Sequence, residues 1–489
     1  MSSEQANHTL SSLLAGMADV AAQNDRMIAG LALDSRKLQS GEVFVALAGT
    51  HEHGLKYGDA AVAQGAIAVI YEPVADIEAP SLNVPVIAVE RLSEKLGSIA
   101  SRYYAEPSRH LLVVGVTGTN GKTTCTTLLT QAMASLGKRT AMIGTTGSGE
   151  WGQVTASTHT TPDAIELQRQ LADFQASGVQ AIAMEVSSHA LEQGRTNGTE
   201  FNVAVFTNLS HEHLDYHGSM QAYAAAKARL FQSQPLQLAV INTDDPTGME
   251  MLESGVNAAQ VLSYGLTAGD VRTLDLQLHS KGLRMQIQSP WGELQINSAL
   301  LGRFNASNLL ACAAVLLGCG WQPAQVGEVL SSAQSAPGRM ECFRNDDYTV
   351  VVDFAHTPDA LLQALTALRE HLSGQKLWCV FGCGGERDAA KRPLMGQIAE
   401  QLADSVIVTD DNPRNEDARA IRTQILAGMS GTAQEIGDRR QAIEKACDEA
   451  GKGDIILLAG KGHETTQQIG DLKLPFNDRD LAAQLTGRS

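Results

Sequence analysis

The strongest constraint on the fold is a rhythm that persists for most of the chain. Short apolar runs, each closed by a loop rich in Gly, Asp, Asn or Ser, alternate with segments of helical periodicity. LLVVGVTG, AIAMEV, VAVFTN and LAVINTDD follow one another between positions 111 and 245, and YTVVVDF, KLWCVFG, DSVIVTD and GDIILLAG repeat the pattern after position 347. Strands separated by helices build parallel sheets covered on both faces, so the class is α/β. An exception lies at 272–298, where RTLDLQLHSKGLRMQIQSPWGELQIN alternates apolar and polar residues around turns at Lys281-Gly282 and Pro290-Trp291-Gly292. That predicts an antiparallel meander attached to the central parallel sheet.

At 489 residues the chain exceeds one core, and domains of roughly 100–200 residues suggest about three. The breaks are expected at the connector YYAEPSRH and at Pro337-Gly338. They give blocks at 1–109, 110–337 and 338–489, the last two being a phosphate-loop-type sheet and a Rossmann-like domain. A balance of 37 Lys+Arg against 54 Asp+Glu, net −17, argues against nucleic acid as partner, whose binding rests on phosphate neutralisation. The longest apolar run, LLACAAVLLGCGW at 309–321, is shorter than the roughly 18 residues of a membrane span and reads as a buried helix. No basic and apolar leader is seen at the start. Seven scattered cysteines, with only Cys379 and Cys383 close together, fit reduced thiols and a cytoplasmic protein better than zinc or disulfides.

The segment VVGVTGTNGKTT at 113–124 sets an apolar strand, a glycine turn and a helix beginning near Lys122 in succession. Backbone N–H groups of such a turn bind phosphate, with Lys122 on the outer phosphates and the Thr123 hydroxyl available to Mg²⁺. The strict spacing G-x-x-x-x-G-K-[ST] would need glycine at 116, where Val116 stands. Glu185, at the end of AIAMEV, is the candidate metal carboxylate, weighed against a solvated strand end. His211, His213 and His217 in SHEHLDYHG have a weak zinc-like spacing without a fourth ligand. Lys227 in AAAKARL reads by itself as a surface lysine on a helix. Three loops that follow strands of the last block, GCGGERD, DDNPRNED and AGKGHE, face one sheet edge and mark a second site.

Taken together, TGTNGKTT, MEVSSH, TNLSHEHLDYHG, Lys227, FNASN, GRME and DFAHTPD, with LDSR near the start, resemble the Mur ligases over the whole chain. Family members carry a short loop of the form G-T-N-G-K-T, so that Gly118 and Gly121 are the glycines that matter. The resemblance implies an ATP-dependent ligase that activates a carboxylate as an acyl phosphate and joins it to an amine, releasing ADP and phosphate. DNPR at 411–414 implies that meso-diaminopimelate is the amine and that the D-glutamate of a UDP-N-acetylmuramoyl dipeptide is the acceptor. It places the chain in peptidoglycan precursor synthesis, and through it in cell shape and division. Small molecules are the implied partners, with no membrane and a monomeric state expected.

By the same resemblance, Gly118, Thr119, Asn120, Gly121, Lys122, Thr123, Thr124, Asn308, Arg339 and Asp353 contact ATP. Lys122, Glu185, His213 and Lys227 form the catalytic set. Thr123, Glu185, His213 and Lys227, the last as a carbamate, hold Mg²⁺. Leu33, Ser35, Thr50, His51, Glu52, His159, Thr160, Thr161, Ser187, Gln193 and Arg195 fall at positions that bind the UDP-dipeptide, with His159 standing where asparagine is expected. Arg387, Asp411, Asn412, Pro413, Arg414, Gly460 and Glu464 match the diaminopimelate pocket. Two alternatives remain: a folylpolyglutamate-synthase-like ligase, which leaves LDSR and DNPR unexplained, and a phosphate-loop ATPase without ligase activity.

Overall fold

A computed structural model describes residues 8–49, 52–75, 77–157, 159–232, 236–431 and 433–487. Thr50 and His51 lie outside them. The chain divides into two compact units, one made of residues 1–122, 133–241 and 245–261, the other of 123–132, 242–244 and 262–489.

The first unit carries two α/β layers. Its amino-terminal sheet orders four parallel strands, Gly30–Ala32, Glu42–Ala46, Ala68–Tyr71 and Val86–Ala88. Its larger sheet runs in the order Leu238–Asn242, Val203–Phe206, Leu112–Thr117, Ala181–Glu185, Thr140–Gly144 and Gly147–Glu150, parallel except for the last strand. Every residue of Ala181–Glu185 and Val203–Phe206 is buried, as expected for strands covered on both faces. Helix Ala164–Ser177 starts where the Asp163 side chain accepts from the backbone N–H of Ile165 and Glu166, both at 3.0 Å, and stops at Gly178, φ 87°.

In the second unit the expected meander is present as Val271–His279, Gly282–Ser289 and Gly292–Ser298 in antiparallel register. The run at 309–321 lies, up to Gly318, in helix Arg303–Gly318, buried continuously from Asn308 to Leu317. A six-stranded sheet then orders Glu341–Arg344, Tyr348–Asp353, Asp454–Ala459, Leu377–Phe381, Ser405–Val408 and Gln434–Glu435, all parallel but for the first. A small hairpin, Thr466–Ile469 with Leu472–Pro475, follows the strand Asp454–Ala459. No described helix is long and apolar enough to cross a membrane.

Candidate active site

The spacing of the glycine loop has a simple cause. Strand Leu112–Thr117 continues one residue past Val116, which is fully buried, so the turn begins only at Gly118. Gly118 has φ 150°, and a Cβ there would lie 1.9 Å from Thr207 Oγ1. Gly121, φ 87°, makes the second bend into helix Lys122–Ser135. The loop is held from the neighbouring strand end. Thr119 N–H donates to Asn208 O at 2.8 Å, Asn120 N–H donates to Asn208 Oδ1 at 2.9 Å, and Thr207 Oγ1 donates to Asn120 O at 2.6 Å. Lys122 Nζ folds onto the carbonyls of Gly118, 2.8 Å, and Thr119, 2.7 Å. Thr123 and Thr124 stand half-buried in the helix's first turn.

Lys227 is not the surface lysine that its helix alone suggests. It is 1% exposed, donates from Nζ to Gly118 O at 2.7 Å and sits 4.4 Å above the Tyr223 ring. Burial, with the neighbouring Lys122 charge, pulls its pKa down to about 6, so the amine is neutral at pH 7. Glu185 is likewise buried, at 1% exposure, rather than solvated. It accepts from Thr145 N–H at 2.7 Å and Thr145 Oγ1 at 3.2 Å, both neutral donors. Among the described residues this buried carboxylate is served by neutral donors alone, a setting that fits a hard cation such as Mg²⁺. His213, with φ 56°, is half-exposed and packs edge-on to His189 at 4.9 Å. His217 packs on the same His189 ring at 5.4 Å, hydrogen-bonded to Ser188 Oγ at 2.9 Å and paired with Glu192 at 2.9 Å. No cluster of three or more His, Cys, Asp or Glu suited to a metal occurs among the described residues.

Around Glu185 the structure gathers several of the residues assigned to the UDP-dipeptide. Thr160 Oγ1 lies 3.1 Å from Thr145 Oγ1, Thr161 Oγ1 donates to Glu185 O at 2.9 Å, and Ser187 N–H donates to Thr161 Oγ1 at 3.1 Å. Arg195 donates to Thr161 O at 3.2 Å and to Gln193 Oε1 at 2.9 Å. A second cavity of about 870 Å³ brings Leu33 and Asp34 together with His159. Ser35 is buried beside Leu33, whereas Glu52 is exposed and bonds to Lys56 at 2.7 Å and to Tyr57.

In the second unit, Asn308 is buried and its Oδ1 accepts from Cys125 Sγ at 3.5 Å, one residue from Thr124. Asp353 ends its strand and accepts from Met340 N–H at 2.8 Å; burial raises its pKa. The Arg339 guanidinium lies 5.2 Å from the centre of the Phe354 ring.

The three loops at the edge of the last sheet do converge. They line a cleft of about 470 Å³ with Arg387, Asp411, Asn412, Arg414, Gly460 and Glu464. Pro413 is buried behind them, and its carbonyl would be 1.9 Å from a Cβ at Gly385. Arg392, 1% exposed, ties two loops by donating to both oxygens of Glu416, 2.8 and 3.0 Å, and to Gly384 O at 3.2 Å. Arg414 takes φ 52° and donates from Nη1 to Gly385 O at 2.6 Å. The Asn412 amide, which lines the cleft, is engaged at both ends: Oδ1 accepts from Gln468 N–H at 2.9 Å and Nδ2 donates to Glu464 at 2.7 Å. Burial raises the pKa of Asp411.

Comparison with known proteins matches residues 27–104 to the Mur ligase family catalytic domain, 116–316 to the Mur ligase middle domain and 338–462 to the Mur ligase glutamate ligase domain. A curated UDP-N-acetylmuramoyl-L-alanyl-D-glutamate–2,6-diaminopimelate ligase of Alkalilimnicola ehrlichii is 46% identical, with 98% of each chain covered. The chain belongs to the Mur ligase family. A ligase of the same title from Pseudomonas aeruginosa is 45% identical over 94% of this Mur ligase and 95% of its own length. A solved structure with that title superposes with a TM-score of 0.78 at 38% identity, over 98% of this chain and 99% of the other.

Some residues of this Mur ligase's site carry no signal in the motifs as first read. Thr145, which holds Glu185, follows an apolar strand without a charged neighbour. Asn208 and Lys461 stand inside TNLSHE and AGKGHE, where the histidines of the one and Gly460 and Glu464 of the other carry the recognisable signal.

Proposed function

We propose that this chain is an ATP-dependent ligase that joins meso-diaminopimelate to the D-glutamate of UDP-N-acetylmuramoyl-L-alanyl-D-glutamate. It would act as a cytoplasmic monomer. The observation that carries the reading is the cleft of the last sheet. Arg387 and Arg414 line one small volume with Asp411 and Glu464, two cations and two carboxylates in the charge pattern that reads a zwitterionic amino acid. Relatives named as this ligase at 46% identity support the same substrates, and the folylpolyglutamate alternative leaves LDSR and DNPR unexplained.

The chemistry needs positioning and charge neutralisation more than a protein nucleophile. The D-glutamate carboxylate attacks the γ-phosphorus of ATP, giving an acyl phosphate and ADP. The amine then attacks the acyl carbon, and the tetrahedral adduct collapses to the amide and phosphate. Backbone N–H groups at the helix start, from Gly121 to Thr124, cradle the phosphates, and Lys122 leaves its carbonyl partners to neutralise the transferred group. Thr160, Thr161, Ser187, Gln193 and Arg195 position the dipeptide. Neutral Lys227 has the lone pair that attacks CO₂, forming a carbamate and releasing one proton. Thr123, Glu185, His213 and that carbamate would hold Mg²⁺, which when bound neutralises phosphate charge. Phosphate release measured with ATP alone, with the UDP-dipeptide, and with dipeptide and diaminopimelate together tests the reading. Full turnover is expected only with all three, and release indifferent to the two additions would leave a simple ATPase.

A further inference from the structure

Below the floor of the amino-acid cleft lies a lysine that does not line it. Lys461 is 0% exposed, between Gly460 and Gly462 at the end of strand Asp454–Ala459. A buried ammonium is tolerated only when its N–H groups find acceptors. Its three N–H groups are matched by three oxygens: Thr466 O at 2.8 Å, Glu464 Oε2 at 3.1 Å and Asn412 Oδ1 at 3.3 Å. Two of these acceptors belong to side chains that line the cleft.

The consequence is geometric. Asn412 Oδ1 serves Lys461 and Gln468 N–H, so its amide can turn only one way, with Nδ2 toward Glu464 Oε2 at 2.7 Å. Glu464 Oε2 thus accepts from two fixed donors, while Oε1 has no hydrogen bond among the described residues. One oxygen is anchored and the other is left for an ammonium. We infer that Lys461 is a positioning residue for the amino-acid substrate, orienting Asn412 and Glu464 so that Glu464 presents a single fixed oxygen to the incoming ammonium group. This rests on reading the cleft as the amino-acid pocket. Without the lysine, the Asn412 amide loses one of the two donors that set its orientation, and Glu464 loses the only cation within hydrogen-bonding distance of it among the described residues.

A strut for the hairpin, acting only through Thr466 O, makes a different prediction. Lys461→Met and Lys461→Gln are compared with the parent in the full chain, with ATP, UDP-dipeptide and diaminopimelate each varied. The positioning role predicts that KM for diaminopimelate rises about tenfold or more in both variants, with the constants for ATP and dipeptide unchanged. In a Glu464→Gln background, Lys461→Met should then add less than about threefold, because the two residues act as one unit. Equal rises in all three constants, a pure loss of kcat, additive effects in the double variant, or failure of both variants to fold would each overturn the role. A parent whose phosphate release ignores diaminopimelate would remove the pocket reading itself, and that is seen before any variant is made.

Discussion

Lys227 Nζ donates to the carbonyl of Gly118 at 2.7 Å, bringing together two residues 109 positions apart in the chain. A lysine drawn from a helix is thereby buried against the first glycine of the phosphate loop. Its pKa falls to about 6 because the charged form is desolvated and faces Lys122.

As pH rises through about 6 the Lys227 amine loses its proton and gains the lone pair that attacks CO₂; below that range the protonated amine has none. Lys227→Ala should therefore lower turnover by about a hundredfold or more, with partial recovery in bicarbonate or a short carboxylate. Labelled bicarbonate should give a carbamate signal in the parent above pH 6 that fades below it. A variant with near-parental turnover would take Lys227 out of the site.

Gly118→Ala tests the loop itself. The added methyl would fall 1.9 Å from Thr207 Oγ1 at a backbone φ of 150°, which side chains rarely adopt. Strain of about 1–3 kcal/mol at this turn should displace the N–H groups from the phosphates. ATP binding measured by calorimetry is expected to weaken about tenfold or more, while the far-ultraviolet spectrum stays parental. Unchanged affinity would mean that the loop does not cradle the nucleotide.

His371 gives a pH dependence of a different kind. Its Nδ1–H donates to His279 O at 2.8 Å and its Nε2 accepts from Gly302 N–H at 2.7 Å, so only the neutral ring fits. Burial lowers its pKa below 6.5. Between the lowered value and 6.5 the unfolded chain binds the proton and the folded one does not, so stability rises with pH there. The contribution is present above 6.5 and lost as pH falls through the folded value. Denaturation midpoints of the parent should drop more between pH 7 and pH 5 than those of His371→Gln. Parallel slopes would show that the ring does not titrate with folding.

Much of this architecture was legible because parallel strands and a meander leave different periodicities. The runs at 181–185, 203–206 and 238–242 read directly, as did the alternation over 272–298. Strands Gly30–Ala32 and Val86–Ala88, three residues each, are too short to carry a period. The site was legible as motifs but not as contacts. AAAKARL reports a helix and nothing of the loop that buries its lysine. The engagement of Asn412 depends on Lys461 and Gln468, about fifty residues onward, and no local pattern encodes that pairing.

The choice of amino acid should rest on Arg414. Diaminopimelate differs from lysine by a carboxylate on the distal carbon, and a guanidinium recognises a carboxylate through paired hydrogen bonds. The structure fixes this residue at both its backbone and its side chain. Arg414 sits at φ 52°, its N–H donates to Gln468 O at 3.1 Å, and Nη1 donates to Gly385 O at 2.6 Å. With one nitrogen anchored to a loop carbonyl and the residue lining the cleft, the rest of the fork can meet the ligand without first being ordered. Arg414→Ala should raise KM for diaminopimelate about ten- to a hundredfold, the equivalent of about 1.5–3 kcal/mol for a lost charge-assisted contact. The constants for ATP and the UDP-dipeptide should stay near parental, and lysine should be a poor substrate for the parent. Because the variant loses its advantage for the second carboxylate, its preference for diaminopimelate over lysine should narrow as well. Kinetics in which parent and variant discriminate equally between the two amines would assign the choice to another residue of the cleft.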